Sequence, residues 1–325
     1  MQRRHLLQAG TALAATTAFD AVAALGAESK PLTILVGFGP GGPVDTVARQ
    51  LVEPLRELLG RPVLVDYKPG VGGQMALTAV KQAAPDGAVL ALSPPSPLTI
   101  SPSTFDKLPY DPFKDFAPVC SACTFDFSLV VGSDHPARTL AELVAWCKQN
   151  PKQANLGVAG LGSSPHFLAW LFARKAGIAL EPIAYRGTPN MAQEVAGGQL
   201  ACAFSPQANF AELVKAGRLR MLATTGAVRS TAFPQVPTFG ESGYAELQSE
   251  EWFAFFARTG TPPAMLNVFA EAVRQVVARD TVRLHLLGMG FNPEACGASR
   301  LAQDIRTDFE RWAEVVRRTG FKADS

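Results

Sequence analysis

From Pro31 onward, short apolar segments rich in β-branched residues alternate with segments of helical periodicity, and no other feature limits the fold so strongly. This alternation is typical of α/β proteins with parallel strands. The predicted strands lie at residues 32–38, 62–66 and 88–93 in a first unit, and at 155–159, 180–184, 200–205 and 219–224 in a second. Helices are predicted between the strands and over most of residues 261–325, so the chain reads as two α/β units.

A proline-rich connector at residues 94–116 separates the two units, and we expect the chain to cross between two lobes after it. The predicted division assigns residues 28–123 and 232–325 to the first lobe and 124–231 to the second. The first helix, predicted over 46–59, contains Pro54, which predicts a kink or a break in it.

Residues 1–27 have a basic head, a weakly apolar stretch and a small-residue end, which is typical of an export signal. Arg3 and Arg4 resemble the twin-arginine type, which a receptor reads on proteins that fold before export. After this segment no stretch approaches the ~18 consecutive apolar residues that span a bilayer. The sequence therefore predicts an exported, periplasmic protein.

The formal net charge is +2 without a basic run or stripe, so a nucleic-acid partner is not expected. Five cysteines at scattered positions do not form a disulfide framework, and their redox state stays open. Cys120 and Cys123 form one isolated C-x-x-C pair, which favours packed thiols over a metal or redox role. The four histidines lack metal-ligand spacing, so no metal site is predicted.

The loop after the first strand, VGFGPGGPVD at residues 36–45, has the dinucleotide-binding spacing of glycines at Gly37, Gly39 and Gly42. Asp66, at the end of the second strand, stands where that fingerprint expects a ribose-binding acid. The loop has a second interpretation, because uncovered backbone amides and the positive end of the next helix bind any small anion. The loop alone leaves both interpretations open.

A second loop of the same construction, GLGSSPHF at residues 160–167, favours the anion interpretation. Gly160 and Gly162 free the backbone, Ser164 is predicted to cap the helix, and Pro165 is predicted at its first position. Two lobes that each present a helix N-terminus and hydroxyl groups across a cleft would hold one small anion.

The polar residues near the loops each have two interpretations. Asp45 is predicted to organise the first loop rather than to bind an ion. His166 either contacts the ligand or packs against the second loop. Tyr185 and Arg186 follow a strand and either line the cleft or lie exposed on a loop. No nucleophile elbow or Walker motif occurs and no carboxylate pair stands out, so no catalytic residue and no cofactor are predicted.

Besides the two loops, the chain contains a series of short motifs: PGVGG at 69–73, APDG at 84–87, LPYDPFKDFAPV at 108–119, YRG at 185–187, KAGRLRMLATT at 215–225, VPTFGESG at 236–243 and GTP at 260–262. Together with FGPGGPVD and GLGSSPH, they make the chain resemble the Bug receptors, the extracytoplasmic solute-binding components of tripartite tricarboxylate transporters. The family's loops read F-x-x-G-G-x-x-D and G-x-G-S-x-x-H. The resemblance covers roughly residues 30–321.

The resemblance implies an α/β, two-lobed periplasmic-binding-protein fold of type II, with a ligand cleft between the lobes that closes on a carboxylate. Backbone amides and hydroxyl groups of the two loops would hold that carboxylate, often through water. Carried over to this chain, the candidate ligand-binding residues are Phe38, Gly41, Gly42, Asp45, Ser93, Gly162, Ser163, Ser164 and His166. Gly39, Tyr185, Arg186 and Ser205, which lie in the first loop or at strand ends, complete the candidate ligand-binding set.

Two departures from the family pattern bear on the ligand. Many relatives carry an acidic residue in F-D-N where this chain has Phe204, Ser205 and Pro206, so an amino-acid ligand loses a partner for its ammonium group. Phe125 and Phe127 stand where relatives are more often aliphatic. Facing the cleft, either ring would stack on an aromatic carboxylate; otherwise both rings pack in the core.

These observations predict a monomeric periplasmic receptor that captures a small aliphatic or aromatic mono- or dicarboxylate. The receptor would deliver it to membrane permease subunits or to a sensor protein. The alternative is an exported nucleotide-dependent oxidoreductase, which the glycine spacing of the first loop leaves open.

Overall fold

The computed structural model describes residues 30–185 and 188–323, so the predicted export signal lies outside the described residues. The strands are β1 (Leu32–Val36), β2 (Val63–Tyr67), β3 (Val89–Ser93), β4 (Phe116–Gly132), β5 (Asn155–Val158), β6 (Glu181–Ala184), β7 (Cys202–Pro206), β8 (Leu219–Thr224), β9 (Glu250–Arg258) and β10 (Phe291–Asn292). The longer α-helices are α1 (Pro43–Leu59), α2 (Gln74–Gln82), α5 (Leu140–Gln149), α6 (Ser164–Ala176), α7 (Thr188–Ala196), α9 (Pro263–Ala278), α10 (Asp280–Met289) and α11 (Ala298–Thr319). The shorter ones are α3 (Ser96–Thr99), α4 (Ser101–Thr104) and α8 (Ala211–Lys215).

The sheet repeats one strand order in both halves of the molecule. In the first lobe the order is β2-β1-β3-β9-β4, with β1, β2 and β3 parallel and β9 antiparallel to both neighbours. In the second lobe β6, β5 and β7 are parallel, and β4 is antiparallel to both β7 and β8. Each lobe therefore combines three parallel strands with antiparallel strands, and β4 continues from the first lobe into the second.

Strand β4 belongs to both lobes because its partners change along its length. From Phe116 to Asp126 it pairs with β9, and from Phe127 onward it pairs with β7 and β8. Thr225 links β4 to the segment that directly precedes β9. Its hydroxyl donates to the Ser249 carbonyl (2.6 Å) and accepts from the Phe127 amide (3.0 Å). The lobe boundaries at 123/124 and 231/232 stay a prediction.

Helix α1 shows how the sequence places the first loop. Its apolar face, which includes Leu51 and Leu55, is fully buried, and the helix packs against α9. The predicted break at Pro54 does not occur, because the helix runs unbroken from Pro43 to Leu59. Burial of Leu51 and Leu55 on either side of the proline offsets its one missing hydrogen bond.

The two unusual phenylalanines lie in the core. Phe125 and Phe127 are each 2% exposed, and their rings contact each other at a centroid distance of 5.6 Å. Phe125 also packs on Phe253 at 4.4 Å, and Phe127 stacks on Phe204 at 5.9 Å. Both rings are used in core packing in this structure, so neither is available to stack on an aromatic ligand. The thiols of Cys120 and Cys123 are likewise buried and free, as packed strand residues.

Candidate functional site

The first loop joins β1 to α1 and is shaped by close backbone packing. A Cβ atom on Gly37 would lie 2.6 Å from the Cα of Gly73, so only glycine fits where this loop meets the 69–73 turn. Gly41 has a φ of +81°, and Gly42 stands at the helix N-cap with extended backbone. The glycine spacing that matches a dinucleotide fingerprint thus has a structural cause of its own.

Asp45 organises this loop from the first turn of α1. The Gly41 amide donates to its Oδ2 (2.8 Å), while the Arg49 guanidinium (2.8 Å) and the Tyr67 hydroxyl (2.5 Å) donate to Oδ1. Burial disfavours the charged carboxylate, but these three hydrogen bonds outweigh it and hold the pKa of Asp45 below its usual range. Asp45 is therefore an anion inside the loop, and both of its carboxylate oxygens accept hydrogen bonds from protein groups.

The second loop joins β5 to α6 and repeats this plan. Gly160 and Gly162 have φ values of +100° and +75°, which any side chain would strain. The Ser163 hydroxyl donates to the Gly160 carbonyl at 2.7 Å. Ser163, and not Ser164, stands at the N-cap, so the predicted capping position was one residue too late, and Ser164 is the first helical residue.

His166 takes the place in the second loop that Asp45 takes in the first. Its Nδ1 accepts a hydrogen bond from the Gly162 amide at 3.1 Å, four residues earlier, just as Asp45 accepts from Gly41. Burial lowers the pKa of His166 to about 4, which leaves the ring neutral and its Nδ1 free to accept at neutral pH. Of the two interpretations of His166, the structure supports packing against the loop.

A hydrogen bond connects the second loop to the first lobe. The hydroxyl groups of Ser96, at the start of α3, and Ser164 lie 3.0 Å apart. Glu251, on β9 and only 3% exposed, lies close enough to accept from the Ser164 hydroxyl. Burial raises the pKa of Glu251 to about 8. The loop after β5 and the segment after β3 therefore meet between the lobes.

The remaining candidate residues are placed as follows. Phe38 lies in the first loop against Gly73, and Ser93 ends β3 with its hydroxyl donating to the Pro94 carbonyl (3.0 Å). Ser205 is buried in β7 and accepts from the Asn209 side-chain amide at 2.8 Å. The Tyr185 hydroxyl donates to Glu194. Arg186 lies outside the described residues.

Sequence reasoning missed four polar residues that the structure adds to this region: Ser96, Thr188, Asn209 and Glu251. Ser96 had a usable signal, because it follows a strand and forms a Ser-Pro helix start, as Ser164 and Pro165 do in the second loop. Asn209 donates to both Ser205 and Thr188 (2.8 and 3.0 Å), a contact between separate elements that leaves no local signal.

Two cavities, of about 590 and 630 Å³, are lined by residues outside both loops. The hydrogen-bonded loops, rather than these cavities, therefore define the candidate site. Within the described parts of the chain, no three side chains of His, Cys, Asp or Glu are arranged to hold a metal ion. Among the same residues, no helix has the length and apolar character needed to cross a bilayer.

A comparison with protein families decides the class of protein. Residues 47–321 match the model of the tripartite tricarboxylate transporter family receptor, TctC. The chain belongs to this family. It is also similar to the protein BugT of Bordetella pertussis, with 32% identity over 295 residues that cover 90% of each chain. TctC proteins are solute-binding receptors and not enzymes, which confirms the predicted class and argues against the oxidoreductase alternative.

Solved structures confirm the predicted periplasmic-binding-protein fold of this TctC receptor. MatC from Rhodopseudomonas palustris with bound malate is 28% identical and has a TM-score of 0.82, covering 88% of this chain and 99% of MatC. An R. palustris protein with adipate is 25% identical and has a TM-score of 0.86, covering 91% of this chain and 99% of that one.

Proposed function

We propose that this TctC receptor is periplasmic and binds a small aliphatic carboxylate between its lobes, for delivery to membrane permease subunits or a sensor protein. The observation that carries the proposal is the matched construction of the two loops. Each ends a strand, opens a helix of more than two turns and is braced by a buried side chain four residues beyond a glycine amide. Helix N-termini of this kind attract an organic anion.

In this proposal, hydrogen bonds from uncharged donors stabilise the negative charge of the carboxylate. Arg49 lies beside the first loop, and it is already hydrogen-bonded to Asp45 and Tyr67. Backbone amides and hydroxyl groups contribute ~1.5–3 kcal/mol each when they donate to a charged group. The malate and adipate bound by two similar proteins fit a site of this chemistry.

A variant at Gly42 tests the first loop. Gly42 has φ −82°, and an added Cβ would meet only the Gly39 carbonyl oxygen at 3.6 Å, so Gly42→Val is compatible with the fold. The valine side chain would cover the helix N-terminus. We expect the dissociation constant of the best carboxylate, measured by isothermal titration calorimetry, to rise at least about tenfold.

Gly240→Val is the matched control, because its Cβ would lie 3.5 Å from the Thr238 hydroxyl in a turn remote from both loops. In the second loop, Ser163→Ala removes the bond to Gly160 and should weaken binding about fivefold. Unchanged affinity in both Gly42→Val and Ser163→Ala, with normal melting temperatures, would overturn the proposed site.

A further inference from the structure

One face of the second-lobe sheet changes from apolar to polar at the strand ends. Directly opposed residues of neighbouring strands share a face, and Val130 of β4 lies opposite Ala203 of β7 and Met221 of β8. All three are buried in the core beneath α7. Two residues along β4, on the same face, Ser128 lies opposite Ser205 and Thr224, and all three hydroxyl residues are fully buried.

The polar character continues beyond this row. Asp126 follows on the same face of β4 and is 5% exposed, and Gln207, which follows β7, is 1% exposed. A Cβ on Gly226, after β8, would lie 2.4 Å from Asp126 Oδ2, so the backbone of Gly226 packs directly on this carboxyl group. Two successive rows of polar residues thus lie on this face of the sheet, at the carboxyl ends of β7 and β8.

Most of these polar residues have a side-chain atom that lacks a hydrogen-bond partner. In the described residues, six buried side-chain polar atoms have no hydrogen-bond partner, and four of them belong to this group: Asp126 Oδ1, Ser128 Oγ, Gln207 Oε1 and Thr224 Oγ1. Buried polar groups are nearly always paired, with protein, water or ligand. Four unpaired atoms in two adjacent rows therefore call for a bound partner. We refer to them as the oxygen cluster.

The oxygen cluster adjoins the candidate ligand site. Ser205, one of the candidate ligand residues, lies opposite Ser128 and is joined through Asn209 to Thr188 at the start of α7. β7 and β8 both end here, and ligands of open α/β sheets bind at the carboxyl ends of the strands. The cluster therefore forms part of the second-lobe side of that site.

The chemistry of the cluster selects the kind of group that it binds. A carboxylate oxygen and an amide carbonyl oxygen only accept hydrogen bonds, and hydroxyl groups both donate and accept. Burial, and then the neighbouring Glu250 carboxylate, raise the pKa of Asp126 to about 7, so the ionised form lacks a favourable partner. While Asp126 is ionised, a second carboxylate of the solute would meet repulsion here, whereas a hydrogen-bond donor would satisfy the acceptors.

We propose that the oxygen cluster is a subsite for a hydrogen-bond donor of the solute, a hydroxyl or an ammonium group. This rests on the proposed function: the two loops hold the carboxylate, and the cluster accepts hydrogen bonds from a donor group attached near that carboxylate. Asp126 then supplies the acidic partner that Ser205 does not, so the absence of F-D-N does not exclude an amino-acid ligand.

The test uses acids that differ in one substituent. Succinate, malate and aspartate carry hydrogen, hydroxyl and ammonium at the same carbon, and propionate, lactate and alanine form a shorter series. Titration calorimetry on the whole receptor gives each dissociation constant. We expect at least one donor-bearing acid to bind about tenfold or more tightly than its unsubstituted counterpart. Preference for malate or lactate identifies the hydroxyl, and preference for aspartate or alanine the ammonium.

Two variants assign the preference to the cluster. Ser128→Ala with Thr224→Val removes two hydroxyl groups at nearly constant volume, and Asp126→Asn removes the charge. We expect either to reduce the donor preference below about threefold, because the affinity for the donor-bearing acid falls towards that for the unsubstituted acid. Ser133→Ala, just past the far end of β4, is the control and should keep the full preference.

The outcomes separate the two proposals. Binding of acids without a donor preference, or with a preference that survives both variants, overturns the subsite and leaves the proposed function standing. In that case the cluster holds structural water only, and the variants change melting temperature without changing ligand choice. Failure of every acid in a wide panel to bind overturns the proposed function and the subsite with it.

Discussion

At the scale of single residues, Asp45 and His166 have the same structural role in their loops but differ in charge. Each accepts the amide of a glycine with positive φ four residues earlier, and so fixes the turn before a helix. Asp45 does so as an anion whose oxygens are already hydrogen-bonded, and His166 does so as a neutral ring. Neither side chain places a free negative charge where an organic anion would bind.

The neutral state of His166 predicts a pH dependence of stability. The unfolded chain protonates this histidine near pH ~6.5, but burial lowers the folded pKa to about 4. As the pH falls through this window the unfolded state takes up a proton that the folded state does not. The free energy of unfolding should therefore decrease, by up to about 3 kcal/mol from this residue.

His166→Asn isolates this contribution, because asparagine offers an acceptor to the Gly162 amide and does not titrate. Urea unfolding of both proteins between pH 4 and 7 should show a smaller loss of stability for the variant than for wild type. Parallel pH profiles would show that His166 is not held neutral by burial.

At the scale of elements, the C-terminal segment connects the lobes. Helix α11 ends at Thr319, and Gly320, with φ +67°, turns the chain towards the second loop. The Phe321 ring then contacts the rings of His166 (5.1 Å) and Phe167 (5.7 Å). The Ala323 amide donates to the Thr104 carbonyl of α4 in the first lobe at 2.9 Å. Residues 320–323 thus hold the second loop against the first lobe.

Phe321→Ala should loosen the second loop, since the ring supports His166 and closely approaches Gly162. We expect carboxylate affinity, measured by calorimetry, to fall about fivefold or more. Phe113→Ala is the control, because Phe113 packs edge-on against Phe309 of α11 at 5.2 Å, in the first lobe. Equal affinities of the two variants would contradict a role of Phe321 in positioning the loop.

The elements were predictable where hydrophobic periodicity is strong and local. The strands of both units and helices such as α1 and α6 follow from it, since the pattern directly reports which face is buried. The short helices α3 and α4 were missed, because their proline-rich sequence reads as a connector. The capping position was one residue off, because Ser163 and Ser164 both have the side chain of an N-cap.

At the scale of the whole molecule, contacts between distant segments were beyond sequence reasoning. The bond between Ser96 and Ser164 joins residues 68 positions apart in different lobes. The oxygen cluster arises only when β7, β4 and β8 come into register. Neither leaves a periodic signal in the chain, whereas the two glycine loops did, because their backbone requirements are local.

The whole-molecule architecture bears on the proposed closure of the lobes around a solute. Strand β4 pairs with strands of both lobes, and Thr225 is hydrogen-bonded to Phe127 of β4 and to Ser249, which directly precedes β9. A solute that contacts both loops favours the closed arrangement, because only there does it gain both sets of contacts.

The most direct test of the account is a crystal structure of the receptor with its tightest-binding acid. We expect one carboxylate group within about 3 Å of donors from the loop at residues 38–45 and the loop at residues 160–166, directly or through one water. An acid bound in either of the two cavities outside the loops, or touching one loop only, would contradict the proposed site.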